Sequence, residues 1–351
     1  MEASRRRLGS FGGEILRLRE GRADVRTGLL GAAFVLAPLG VGLAIGQTTG
    51  AVLSSLGTLN LFLADAPIGQ TRTRVSVLAA VVGAFAVAFG VGSAVALLPG
   101  PIETVLIAVG LTAALYTAMR VGAAGPGLLV AVLFIIPLGL PPTTDLNVAV
   151  RALCVLAGGL WGLAGAFLLR SVPALATRPE GPVHDPVPIA GSHQLGYAAA
   201  VGATAAVGFL AAHELGLLRD FWVMLTVLVA LRPDLAGTFA YATMRIVGTV
   251  AGAGLAYFLT VSTTSLPLLA AALALATAVA LAIRSMNYIL YATAITVVVI
   301  GLLNLAYSGG PALAVVRIED TILGGALAVL TGAFLTFGLR AHRRPGGSSG
   351  G

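Results

Sequence analysis

Residues 231–257 read LRPDLAGTFAYATMRIVGTVAGAGLAY. An apolar run stops abruptly at Arg232, Pro233 and Asp234, a short polar elbow follows, and from Arg245 onward the sequence reads as a Gly-rich apolar helix. Gly248, Gly252 and Gly254 punctuate that helix, and small residues at such spacing let another helix backbone approach closely inside a bilayer. Ionisable groups at the mouth of a membrane segment mark a pathway or a gate, which makes Arg232, Asp234 and Arg245 candidate substrate-binding residues. An ordinary cytoplasmic loop uses the same residue types, so the choice rests on the surrounding chain.

That chain reads as a polytopic helical membrane protein. Of its 351 residues, 58% are hydrophobic and 10% charged, and its mean hydropathy is +0.97; soluble domains carry about 25% charged residues. The 21 basic residues are all arginine and the formal net charge is +7. They sit at the ends of apolar runs rather than in a patch with aromatics, so no nucleic-acid partner is expected. The single cysteine, Cys154, lies in an apolar run and reads as packing. His184, His193, His213 and His342 have no metal-ligand spacing. There is no HExxH, Walker loop, nucleophile elbow or paired Asp-rich motif, so neither an enzyme nor a cofactor is expected.

The apolar segments fall at about 27–46, 49–64, 75–98, 102–119, 127–140, 146–169, 195–215, 221–231, 244–261, 265–283, 286–305 and 312–337. A helix crosses about 30 Å of hydrocarbon in about 20 residues, and the second, fifth and eighth segments are short. With the N-terminus inside, 18 of the 21 arginines fall on the cytoplasmic side; the exceptions are Arg151, Arg219 and Arg317. The expectation is about twelve transmembrane helices in a bacterial inner membrane, both termini cytoplasmic. Residues 1–26 form a basic arm, 171–194 a Pro-rich cytoplasmic linker, and 339–351 a disordered tail.

The two halves, 27–170 and 195–338, resemble each other. Arg74 to Gly83 aligns with Arg245 to Gly254. Arg151 with Gly158 and Gly159 aligns with Arg317, Gly324 and Gly325. Six spans per unit is even, so the expectation is two parallel six-helix repeats. The repeat adds Arg74 and Arg151 to the candidate binding residues. Short segments at matching positions, here the second and eighth, point to a transport site. For the eighth, a longer helix starting through Leu217 and Leu218 is the alternative.

Near the start of the last segment stand Arg317, Glu319 and Asp320. A carboxylate about 12 Å into a spanning helix is expensive. Arg317 and Asp320 are i and i+3, so a structural ion pair is one reading. The other is functional: Arg317 attracts an anion while Asp320 or Glu319 takes up the coupling proton. The first half has Leu153 and Cys154 where these acids would stand, so proton-linked chemistry is expected in the second half alone. His213, Glu214, Arg219 and Asp220 read as a solvated outer rim.

Residues 226–256 resemble the signature of the fusaric acid resistance or aromatic acid exporter family. The features are an apolar strip ending in Arg232-Pro233-Asp234, then Arg245, then Gly248-Thr249 and Gly252. The likeness is strongest over about 196–338 and weaker, through the repeat, over 28–170. It implies an inner-membrane, permease-like protein built of six-helix units. Members are associated with export of aromatic carboxylic acids, and their membrane part is similar to the plant malate channels. Members commonly carry large cytoplasmic domains, of which this chain shows only the linker and a short tail. The favoured function is therefore efflux of small organic anions. A passive anion channel and a non-transporting scaffold of an envelope complex are the alternatives, with a homo-oligomer or an accessory periplasmic partner left open.

Overall fold

The computed structural model describes residues 23–64, 71–140, 146–171, 189–217, 219–262, 265–284, 286–307 and 310–342. The side chains of 71–74, 170–171, 307 and 337–342 are outside that description, as are most of the basic arm and linker and residues 343–351 of the tail. Among the described residues the chain is all-helical. The helices are α1 (Val25–Ala44), α2 (Thr48–Ala64), α3 (Thr71–Val95), α4 (Gly100–Arg120), α5 (Ala124–Ile135), α6 (Val148–Ser171), α7 (Gly191–Glu214), α8 (Phe221–Ala230), α9 (Leu235–Ser262), α10 (Leu266–Ile283), α11 (Tyr288–Tyr307) and α12 (Ala312–His342). Eight of them (α1, α3, α4, α6, α7, α9, α10 and α11) are long and apolar enough to cross a membrane. Three more, α2, α5 and α8, are apolar but shorter.

Local chemistry sets the boundaries. Asp24 starts α1, its carboxylate accepting from the Thr27 amide at 3.0 Å. Asp234 starts α9 in the same way, accepting from the Gly237 amide at 2.6 Å. Positive φ at Gly46, Gly122, Gly216 and Gly310 turns the chain between neighbouring helices. At Pro137, which has no amide hydrogen, α5 tightens into a 3₁₀ turn, Ile136–Gly139.

One expectation changes and one choice between two readings is decided. The ninth helix does not open at Arg245; it starts at Leu235 and runs to Ser262. Asp234 and Thr238 cap it early, and no proline interrupts residues 235–244, so the elbow shrinks to residues 231–234. Arg245 consequently lies ten residues inside α9, about 15 Å along its axis. The eighth segment is short, as the first of its two readings has it: Leu217 is not helical, and α8 has only 10 residues.

The first six helices and the last six pair in the same order. In the first set α1 packs on α2, α2 on α6, α6 on α3, α3 on α5 and α5 on α4; in the second α7 packs on α8, α8 on α12, α12 on α9, α9 on α11 and α11 on α10. Aligned glycines make close backbone approaches at corresponding helix pairs. A Cβ on Gly158 of α6 would lie 1.9 Å from the Ser54 carbonyl oxygen of α2, and one on Gly324 of α12 would lie 2.6 Å from the Val223 carbonyl oxygen of α8. The broadest seams between the sets are α4 on α7 and α1 on α10, with smaller contacts of α2 on α11 and α5 on α8.

Candidate functional site

The backbone of the elbow is held by side-chain hydroxyls of the flanking helices. The Tyr197 hydroxyl of α7 donates to the Leu231 carbonyl at 2.8 Å. The Thr238 hydroxyl accepts from the Arg232 amide at 2.9 Å and faces the Asp234 carbonyl at 2.9 Å. Asp234 is exposed and occupied as the α9 cap. Arg232 lays its guanidinium over the Tyr241 ring, 4.0 Å from the centroid. Its Nε and Nη2 are buried without a hydrogen-bond partner. Tyr241 meets Tyr288 of α11 edge to face at 5.3 Å, and Tyr288 meets Tyr291 at 6.1 Å. Tyr291 lies within electrostatic reach of Arg245. An aromatic line thus runs from the elbow to the deep arginine.

The deep site follows from helix periodicity. On α9, Gly248 and Gly252 lie against α11, while Ala242 and Ile246 lie against Gly325 of α12. Arg245 and Thr249, one turn apart, fall on the stripe between those faces. Arg245 is 5% exposed. From α12, Arg317 is 1% and Asp320 0% exposed. Arg317 lies within electrostatic reach of Arg245, Asp320 and Tyr288.

The ion pair expected between Arg317 and Asp320 is not closed. The Arg317 guanidinium instead sits over the Trp222 ring of α8, 4.9 Å from the centroid. Both carboxylate oxygens of Asp320 are buried without a hydrogen-bond partner, as are Nε and Nη1 of Arg317. The i,i+3 spacing brings the two side chains close, but α8 packs against the same face of α12 and offers Arg317 an aromatic surface. The Arg245 Nε, the Trp222 Nε1 and the Thr249 and Thr296 hydroxyls are likewise buried and unpartnered. Each such group costs about 1–3 kcal/mol. The set is dominated by donors, which suits an anionic guest.

The remaining sequence candidates are not gathered here. Glu319 is exposed, which leaves Asp320 as the buried acid. In the first half Arg151 donates from Nε to the Leu146 carbonyl at 3.0 Å, and Cys154 packs beside Gly50. Arg74 is in the first turn of α3, and its side chain lies outside the described residues.

Where α7 gives way to α8, His213 Nδ1 and Asp220 Oδ2 are 3.2 Å apart. Burial pushes the Asp220 carboxyl above the usual carboxylate range, and the contact with His213 opposes that shift. Arg219 donates from Nη1 to the Gly139 carbonyl at 2.7 Å, tying the rim to the 3₁₀ turn of the first half.

Sequence reasoning missed Trp222, Tyr241, Tyr288 and Tyr291. One signal was available: Tyr241 precedes Arg245 by four residues, which puts both on one side of a helix once that helix begins before the arginine.

The segment that carries the elbow, the tyrosines, Trp222 and the buried charges has a known counterpart. Residues 203–331 match the fusaric acid resistance protein-like family. This fusaric acid resistance-like segment covers α8 to α11 whole, half of α7 and most of α12. No curated protein and no solved structure matches the chain. The matched segment and the eight long apolar helices make this a multi-pass, transporter-like membrane protein.

Proposed function

We propose that the protein exports small organic anions, with aromatic carboxylic acids as the favoured class, across the bacterial inner membrane with both termini cytoplasmic. Arg245 and Arg317 hold the carboxylate between α9 and α12, and Asp320 carries the coupling proton. Two parallel six-helix units, 27–170 and 195–338, with the linker 171–194 between them, form the frame. The repeated order of helix pairing and the aligned Gly158 and Gly324 contacts support that frame.

The observation that carries the reading is the buried, unsatisfied polar set. Two guanidiniums and a carboxylate stand in one electrostatic neighbourhood, each with buried atoms that no group among the described residues satisfies. Burying an ion without a partner is costly. A carboxylate guest satisfies the arginine donors, and a proton on Asp320 removes the charge that repels that guest. Binding of the anion and protonation of Asp320 therefore favour each other, so anion and proton leave together down the outward gradient of the acid, and a pH gradient biases that flux. Arg232 concentrates anions at the elbow and hands them along the tyrosine line.

The test is counterflow of radiolabelled benzoate at pH 8 into proteoliposomes holding the purified protein, with and without an imposed pH gradient. Gradient-dependent uptake that Arg245→Ala abolishes in a folded protein is the expected result. Normal flux in folded Arg245→Ala overturns the anion site, and flux indifferent to the gradient makes the protein a passive channel.

A further inference from the structure

We infer that His213 and Asp220 form the outward proton path to Asp320, a role that rests on Asp320 being the coupling group. Three groups lead inward with falling exposure. The His213 side chain is 70% exposed and that of Asp220 17%, whereas Asp320 is wholly buried. The first step is a contact of 3.2 Å between His213 Nδ1 and Asp220 Oδ2.

The second step follows from packing. Asp220 precedes the first residue of α8. Two residues on, Trp222 lies under the Arg317 guanidinium. At the next residue, the Val223 carbonyl meets Gly324 at a backbone contact. The helices α8 and α12 are therefore locked together at this level, with Asp220 and Asp320 on the outer side of the lock. Asp320 lies within electrostatic reach of Asp220.

Among the described residues, three titratable groups lie within electrostatic reach of Asp220. His213 comes from α7, Glu103 from α4 and Asp320 from α12. Its neighbour Arg219 is turned to the Gly139 carbonyl. His213, the exposed member of the contact, takes a proton from the outer solution, Asp220 receives it across the 3.2 Å contact, and Asp320 takes it in turn; one proton moves inward at each step and no other species is consumed.

The chain has two tryptophans, Trp161 in α6 and Trp222. In Trp161→Phe protein, fluorescence therefore reports Trp222, which touches Arg317 and senses the charge on Asp320. The experiment places this protein in vesicles, outer face outward, and follows the fluorescence after a rapid acid jump of the outside buffer. Asp320→Asn should silence the response. His213→Gln should slow it several-fold with unchanged amplitude, Asp220→Asn should do the same, and external imidazole should restore the His213→Gln rate. If Asp320→Asn is silent while His213→Gln and Asp220→Asn respond at the parent rate, the path is wrong and the role of Asp320 stands. If Asp320→Asn keeps the full response, Asp320 is not the titrating group and both ideas fall. Should Asp220→Asn fail to fold, His213→Gln, on an exposed side chain, decides alone.

Discussion

The Arg317 guanidinium lies 4.9 Å from the centre of the Trp222 ring, while Asp320, one turn along the same helix, stands buried with neither oxygen bonded. A closed ion pair would have been mute: each charge would satisfy the other. An open one leaves both groups available, the arginine to an anion and the carboxylate to a proton, with the ring holding the cation between visits.

Trp222→Phe tests that arrangement. A phenyl ring keeps a smaller face and most of the packing, so the stability loss should stay near 1–2 kcal/mol. Anion affinity should change more than the melting temperature does, because Arg317 loses its resting place. Binding of benzoate, read by thermal shift at increasing ligand, separates the two effects. Equal affinity at lowered stability would make Trp222 a packing residue only.

Gly324 and Gly158 predict a different loss. A methyl group on Gly324 meets the Val223 carbonyl at 2.6 Å, and one on Gly158 meets the Ser54 carbonyl at 1.9 Å. Backbone cannot yield as a side chain does, so Gly324→Ala and Gly158→Ala should each part a helix pair and cost about 1–3 kcal/mol. Melting temperature in detergent reads this directly. Wild-type melting of both variants would mean that the helices separate without penalty.

Why some of this was legible in the sequence and some was not follows from the physics of each element. Apolar length fixes the existence of membrane helices, because every backbone group in hydrocarbon must bond internally. The burial of Arg317 and Asp320 was visible as charge inside an apolar run. The start of α9 was not, because Gly237, Thr238 and Phe239 are weak helix formers and the Asp234 cap was read as part of a loop. That error put Arg245 at a helix mouth instead of ten residues inside the helix. The partner of Arg317 was hidden for another reason: Trp222 is 95 positions away along the chain (317 − 222), and nothing local announces a ring brought in by α8.

Asp220 gives a pH dependence. Burial raises its carboxyl above the unfolded value, with His213 opposing. A raised carboxyl contributes stability as the neutral form; that contribution is present below the unfolded value and is lost as pH rises through the folded one. Asn cannot ionise, so the melting temperature of the wild type minus that of Asp220→Asn should be most favourable near pH 4 and should fall as pH rises towards neutral. A difference that is flat with pH would mean that Asp220 ionises in the fold as it does in water.

Asp320→Asn separates coupling from architecture. The amide keeps the size of the side chain and cannot carry the charge. If Asp320 takes the coupling proton, Asp320→Asn should lose gradient-driven uptake while anion exchange persists, since Arg245 and Arg317 are still in place. If Asp320 serves only as counter-charge to Arg317, its loss leaves a buried guanidinium less compensated, and stability should fall by about 3–5 kcal/mol. Because Asp320 makes no bond to Arg317 here, the smaller stability effect is expected, with the larger one on coupling. The decisive pair of measurements is gradient-driven benzoate uptake and melting temperature on the same preparation. Intact coupling with a large drop in melting temperature would return Asp320 to architecture, and the proton would have to be carried by a group outside α12.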